Sequence, residues 1–223
     1  MIQWVYERSS QARSLSGVVV ATDDIRILEA VRNFGGQALM TSRDHRSGTD
    51  RVAEVASQVE SDVFVNIQGD EPLISPKTID AVCQPFTDDP ELLLSTARVE
   101  LDEALQIATP HNVKVVTDRV GKALYFSRHP IPYLWEGSGR HFKHLGIYGY
   151  KRELLLELEK IPVSELEKAE RLEQLRFLES GIAIQVVTVD EDSVGVDTEE
   201  DLARVTPLLE NLASREVQSH TGR

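Results

Sequence analysis

The decapeptide VFVNIQGDEP at residues 63–72 constrains this chain more than any other segment. Val63, Phe64, Val65 and Ile67 form a β-rich apolar run that stops at Gly69-Asp70-Glu71-Pro72. Such a run predicts a buried parallel strand whose carboxyl end delivers two acids into a loop. In open α/β sheets the ligand crevice lies outside the carboxyl ends of the strands. A carboxylate placed there can hold a hard cation such as Mg²⁺, which in turn engages phosphate oxygens. Gly-Asp ahead of a proline is also ordinary turn chemistry. A second acid in the same setting favours the functional reading. Gly195-Val196-Asp197-Thr198-Glu199-Glu200-Asp201 follows the strand-like run 184–189 and opens a helix. Asp197 and Glu200 have capping-box spacing, and an acid can cap a helix and still face a metal.

Strand and helix signals alternate along the chain. Helices are expected over 1–13, 24–34, 49–59, from Pro76, over 102–108, and over 198–212; Gly35-Gly36 ends the second. Strands are expected over 17–22, 37–41, 63–68, 92–99, 144–150 and 184–189. Residues 113–118 and 122–127 read as a hairpin around Arg119-Val120-Gly121. Two helices follow residue 150. The second starts at Ser164, with Glu167 completing a capping box and Leu166, Ala169, Leu172, Leu175 and Leu178 forming one face. The alternation implies right-handed βαβ crossovers and a mostly parallel sheet with flanking helices. Residues 128–142, with two prolines, two glycines and aromatic side chains, read as an irregular functional excursion. A single domain is expected over 1–213, with a frayed tail over 214–223.

Charge narrows the partners. The 223 residues carry a formal charge of -13, which opposes a nonspecific hold on nucleic acid or an anionic membrane. An anionic small molecule is still allowed, because a few basic residues and a metal reverse the local field. The one cysteine, Cys83, excludes an internal disulfide and reads as a structural thiol in a helix. No apolar run approaches the ~20 residues needed to span a bilayer. The amphipathic first segment does not resemble a signal peptide, so a soluble cytoplasmic protein is expected.

Three further segments carry chemistry. The loop 41–51 holds Ser42, Arg43, Asp44, His45, Ser47 and Gly48 ahead of a helix, where backbone N–H groups can meet an anion or a base edge. Ser47 or Thr49 also serves as a helix cap, and the spacing of a Walker-type phosphate loop is absent. Tyr125-Phe126-Ser127-Arg128 ends a strand on an arginine, a bidentate partner for carboxylate or phosphate, or else a solvated edge residue. In the run 144–150, alternation puts His144, Gly146 and Tyr148 on one face and Leu145, Ile147 and Gly149 on the other. That polar stripe points to a cleft, with a satisfied core histidine as the alternative. Glu173 and Gln174 lie beside the apolar stripe of the Ser164 helix.

The segments VNIQGDEP, RDHRSGTDR, ALYFSR, HLGIYGY, LEQLRFLE and GVDTEEDL occur in one order across nearly the whole chain. Together they resemble the 3-deoxy-D-manno-octulosonate (Kdo) cytidylyltransferases; the CMP-sialic acid synthetases fit HLGIYGY and GVDTEEDL less well. The resemblance implies a Rossmann-like nucleotidyltransferase of the nucleotide-diphospho-sugar transferase type, a homodimer paired through the excursion. It also implies the reaction of CTP with Kdo to give CMP-Kdo and pyrophosphate for lipopolysaccharide synthesis. By position, Asp70 and Asp197 would bind Mg²⁺. Arg128, His144, Tyr148, Glu173, Gln174 and Gln68 would surround the sugar acid, and Arg43, Asp44, Ser47 and Gly48 would lie along the cytidine. No residue stands out as a general base.

The family begins with a strand and a basic loop resembling PARxxSxRLPGK, which clamps the triphosphate. This chain starts at the methionine that opens the following helix. Two readings follow from the resemblance: an enzyme whose start is assigned too late, or a catalytically inactive binding or dimerisation module. In either, an absent central strand would leave open sheet edges beside apolar helices.

Overall fold

The protein is described by a computed structural model covering residues 1–137 and 139–221, with side chains to residue 212. Helix α1 (Ile2–Ser9) is followed by β1 (Val20–Thr22), α2 (Ile25–Asn33), β2 (Ala38–Met40), α3 (Gly48–Gln58) and β3 (Val63–Asn66). Then come α4 (Pro76–Cys83), α5 (Pro85–Asp88), β4 (Leu94–Leu101), α6 (Ala104–Ala108), β5 (Lys114–Thr117) and β6 (Ala123–Ser127). The chain closes with β7 (His141–Lys151), α7 (Arg152–Leu156), α8 (Glu165–Glu170), α9 (Gln174–Glu179), β8 (Ile184–Thr188) and α10 (Glu199–Thr221).

The strand–helix alternation is present, but the sheet is mixed rather than mostly parallel. β1 pairs β2 and β4 pairs β8 in parallel, whereas β3–β7, β4–β7, β5–β6 and β5–β7 are antiparallel. The cause is β7. It returns antiparallel and inserts between β3 and β4, so the two do not pair with each other. One edge of β7 carries β4 (Leu94↔Tyr150 to Leu101↔His141). Its other edge meets β5 at Lys114↔Lys143 and β3 only from Asn66↔Tyr148 onward. His144 N still donates to Val113 O at 2.8 Å, but among the described residues no strand pairs that edge over 145–147, so β3 and β5 diverge there and leave an open edge, the crevice beside β7.

Two apolar clusters cover the faces of the large sheet. Phe126, Tyr150, Leu155, Leu175 and Phe177 anchor one, and Ile74, Ile79, Val82, Leu145 and Ile147 the other. The expected alternation along β7 is thus real, with Leu145 and Ile147 on the second face. Gly149 faces that cluster too, and has no room for a side chain: a Cβ there would sit 2.7 Å from both Phe86 and Ser95.

β1 and β2 form a separate two-stranded sheet. Between it and β3 lies a slot of about 1460 Å³, lined by Val18 and Val20 on one side, Phe64 and Val65 on the other, and Val5 beneath.

Three local expectations need correction. The helix from Ser164 is two helices, because Arg171 takes a left-handed conformation (φ 53°) that ends α8 before α9 begins. Its capping box of Ser164 and Glu167 is present. The last helix continues past Leu212 to Thr221, over part of the span expected as a frayed tail; residues 222–223 lie outside the described residues. Finally, α10 is capped by Thr198 and Asp201, not by Asp197 and Glu200. The Asp201 carboxylate accepts from Thr198 N (3.1 Å), and Thr198 Oγ1 accepts from Asp201 N (3.1 Å). No helix among the described residues is long and apolar enough to cross a membrane.

Candidate active site

The crevice beside residues 145–147 of β7 gathers side chains from several elements. His144 is 8% exposed, and its Nε2 meets Thr96 Oγ1 at 2.9 Å. Thr96 also donates toward the carbonyls of Ile147 (2.7 Å) and Leu145 (3.2 Å), where the β4–β7 register shifts. Burial, with the Lys143 charge in support, pulls the His144 pKa from 6.5 to about 3. The imidazole is therefore neutral at physiological pH and acts through hydrogen bonds rather than charge. Edge-on and tilted ring contacts run along the same face: Phe126 to His144 at 4.9 Å, His144 to Tyr148 at 5.3 Å, Tyr148 to Tyr150 at 5.8 Å, and Tyr150 to Phe177 at 6.2 Å. Burial raises the pKa of both tyrosines, with the Glu173 carboxylate adding to it, so both phenols stay protonated.

Glu173 and Gln174 open α9 against this ladder. Gln174 is 3% exposed, and among the described residues no buried side-chain nitrogen or oxygen lacks a hydrogen-bond partner.

Arg128 follows β6, whose Ser127 pairs with Lys114 and whose Phe126 ring packs on His144 at 4.9 Å. Its guanidinium is held by main-chain carbonyls: Nε donates to Glu170 (2.8 Å), Nη1 to Pro110 (3.0 Å) and Nη2 to Arg171 (3.3 Å). Three of its five N–H groups are used this way, which argues against the solvated edge arginine and leaves part of the fork free. Two supporting residues were not legible in the sequence. Glu170 accepts from Ser127 Oγ (2.6 Å) and Arg128 N (3.0 Å). Lys114 is fully buried and donates to the carbonyls of Thr109 (2.9 Å), Asn112 and Arg128 (2.6 Å). The only hint was a lysine among the valines of residues 113–116.

The loops that carry the two strand-end acids are joined through their backbones. Val196 N donates to Asp70 O at 2.9 Å, joining the loop after β3 to the loop before α10. Since Thr198 and Asp201 carry the cap, Asp197 is spared that task. Neither the Asp70 nor the Asp197 carboxylate has a hydrogen bond or ion pair among the described residues. No group of three or more His, Cys, Asp or Glu side chains among them could hold a metal by itself. Two uncommitted carboxylates suit Mg²⁺, which is commonly held by one or two acids and completed by water and substrate phosphates.

The loop ahead of α3 is arranged differently. Arg43, Asp44 and Gly48 are exposed, and Ser47 caps α3 by accepting from Asp50 N (3.2 Å). Glu54 clips the loop to the helix: it accepts from Ser42 N (2.9 Å) and pairs with the His45 imidazole. A Cβ on Gly48 would lie 3.6 Å from Gln68 and Asn66, so this loop borders the end of β3. Gln68 itself makes one long contact, to Asn66 Oδ1 at 3.5 Å. Thr49 Oγ1 meets the Tyr150 hydroxyl at 3.3 Å, tying α3 to the ring ladder. Arg43 and Asp44 make no side-chain hydrogen bond to the residues of the crevice. Cys83 is half-buried in α4 with its thiol pKa raised by burial, which fits a structural role.

Known proteins resemble this arrangement. The cytidylyltransferase family model matches residues 1–186. A 3-deoxy-manno-octulosonate cytidylyltransferase of Solibacter usitatus is 49% identical over 211 residues, covering 94% of this chain and 84% of the relative. That of Geobacter sulfurreducens is also 49% identical, over 221 residues, covering 94% and 88%. Among solved structures, a CMP:2-keto-3-deoxy-manno-octonic acid synthetase complexed with CTP superposes with a TM-score of 0.91 at 45% identity, covering 94% of this chain and 87% of that one. A 4-diphosphocytidyl-2C-methyl-D-erythritol synthase of Anaerococcus prevotii shares the fold at 13% identity and a TM-score of 0.63. The extent of the family match and the identity of these relatives establish that the chain belongs to the cytidylyltransferase family.

Proposed function

We propose that this protein transfers the cytidylyl group of CTP to Kdo, forming CMP-Kdo and pyrophosphate for lipopolysaccharide synthesis. The observation that carries the reading is that Asp70 and Asp197, whose carboxylates make no hydrogen bond or ion pair among the described residues, sit on loops joined by the Val196 N to Asp70 O bond at 2.9 Å. In the reaction the anomeric hydroxyl of the sugar attacks the α-phosphorus in line, and pyrophosphate leaves. Both substrates are anions, so positioning and charge neutralisation dominate the barrier.

Each group of residues has a task in that scheme. Asp70 and Asp197 would hold Mg²⁺, which would supply charge neutralisation at the phosphates and could lower the pKa of a hydroxyl bound to it. The free part of the Arg128 fork meets the sugar carboxylate, and the carbonyl cage fixes its direction. His144, Tyr148, Glu173, Gln174 and Gln68 hydrogen-bond the sugar hydroxyls. A neutral His144 donates or accepts there without adding a charge to be desolvated. Arg43, Asp44, Ser47 and Gly48 line the cytidine. The exposed Tyr133 and Trp135 (81% and 88%), edge-to-face at 6.2 Å, give the 128–142 excursion an apolar tip suited to pairing two copies. We place the homodimer in the cytoplasm, where CTP is available.

The test is pyrophosphate release from CTP and Mg²⁺ with Kdo, and with N-acetylneuraminic acid in its place. Release with Kdo at least tenfold faster is expected. Equal rates with the two acids, or release only with the second, would overturn the assignment of the acceptor.

A further inference from the structure

The segment 191–196, between β8 and Asp197, is pinned at several points on its underside. Ser193 is 7% exposed, and its hydroxyl donates to Glu71 Oε2 at 2.8 Å. Lys143 of β7 donates to Asp192 Oδ1 (2.8 Å) and to the Ser193 carbonyl (3.1 Å). Val196 N closes onto Asp70 O at 2.9 Å. Glu71 is tucked over β7 where Gly146 lacks a side chain; a Cβ there would lie 3.5 Å from its Oε1. Burial raises the Glu71 pKa, while the Ser193 hydrogen bond opposes the rise. Glu71 and Ser193 point at each other, each adjoining a segment that carries an uncommitted acid. Lys77 adds an outer contact to Glu191 at 3.6 Å, exposed and weak.

We infer that Ser193, Glu71 and Lys143 form a latch that sets the spacing of Asp70 and Asp197 and so the affinity of the carboxylate pair for a divalent cation. The latch residues are positioning residues. Glu71 spends its carboxylate on Ser193, and Lys143 spends its ammonium on Asp192 and the Ser193 carbonyl. Without the Ser193 hydroxyl, the segment keeps its bonds from Lys143 and from Val196 N to Asp70 O, but loses its side-chain tie to Glu71, the neighbour of Asp70. A half-ångström of added freedom is enough to degrade a two-ligand site. The inference rests on the proposed metal role of Asp70 and Asp197, and the experiment separates the two.

Binding of Mn²⁺ alone to the 223-residue chain, read by the loss of the free-ion EPR signal, supplies the probe. The chain should bind Mn²⁺, and Asp197→Asn should abolish that binding. Ser193→Ala should weaken it roughly three- to tenfold, the range expected for one lost hydrogen bond. Ser193→Thr, which keeps the hydroxyl, should stay within about twofold of the parent. A purely structural serine would lower the thermal midpoint without moving the Mn²⁺ affinity measured well below it. Lys143→Gln, opening the latch from the other side, should weaken Mn²⁺ binding as Ser193→Ala does. Unchanged affinity in both Ser193→Ala and Lys143→Gln, with Asp197→Asn still abolishing binding, would overturn the latch and leave the metal pair standing. Failure of the parent chain to bind Mn²⁺, or equal binding by Asp197→Asn, would overturn the metal pair and the latch with it.

Discussion

The proposed acceptor side and the proposed nucleotide side of this molecule are built to opposite standards. The acceptor side rests on β7, which has β4 along one edge, β3 and β5 on the other, and buried side chains on both faces. His144 and Gln174 are almost fully enclosed, and Arg128 is caged by carbonyls. The nucleotide side rests on the loop after β2, a three-residue strand of a two-stranded sheet whose far side faces the slot. Its residues are mostly exposed, and the loop 42–47 is fastened chiefly by side chains of α3: Asp50, and Glu54 with Ser42 N and His45. The difference teaches where preorganisation resides. On the proposed roles, the sugar-acid groups are enclosed by the fold, and the exposed nucleotide groups are expected to gain order on binding.

The largest effect is expected where the two sides meet. Asp70→Asn and Asp197→Asn should each lower pyrophosphate release at least about 100-fold while the far-UV circular dichroism stays unchanged. Near-parental rates in both variants would remove the meeting point from the comparison. Next in size is stability. Lys114→Met would leave the carbonyls of Thr109, Asn112 and Arg128 without their donor, costing about 2–3 kcal/mol in urea unfolding. Arg46→Ala, on the exposed nucleotide loop, should stay within about 0.5 kcal/mol. Similar losses in the two variants would erase the contrast in packing.

Acid should expose the enclosed side as well. The folded pKa of His144, about 3, lies below its ordinary 6.5. Its contribution to stability is therefore complete above pH 6.5 and is lost as the pH falls toward 3. Between pH 6.5 and 5.5 unfolding free energy should drop by about 1 kcal/mol from this group, and His144→Asn should remove that part of the slope. A slope unchanged in His144→Asn would mean that the imidazole already titrates normally in the folded chain. The smallest effect belongs to the loop clip. Glu54→Gln should raise the KM for CTP roughly threefold and leave the KM for Kdo alone. An equal rise for both substrates would place the loop on the acceptor side too.

Legibility in the sequence followed the same divide between local and non-local causes. The acids at the ends of β3 and before α10, the Ser164–Glu167 box and the alternation of 144–150 depend on neighbours a few residues away, and each is present in the structure. The antiparallel insertion of β7 between β3 and β4 depends on pairing across some eighty residues of chain, from Asn66 to Tyr148, so strand–helix alternation could not reveal it. The break at Arg171 was hidden because leucine spacing continues smoothly through it while one non-glycine residue turns left-handed. Asp197 with Glu200 and Thr198 with Asp201 offer the same capping spacing one residue apart, and only geometry separates them. Lys114 and Glu170 escaped notice because each serves backbone atoms of distant segments rather than a motif.

Hydrogen exchange on the free chain and with CTP or Kdo added separately, each with Mg²⁺, tests the central contrast most directly. Amides of 144–151 in β7 should exchange slowly in the free chain and stay slow with CTP. Amides of 42–46 should exchange fast, slow when CTP is added, and remain unchanged with Kdo alone. Fast exchange in β7 of the free chain, or a 42–46 segment indifferent to CTP, would contradict a prebuilt acceptor side facing a nucleotide side ordered by its ligand.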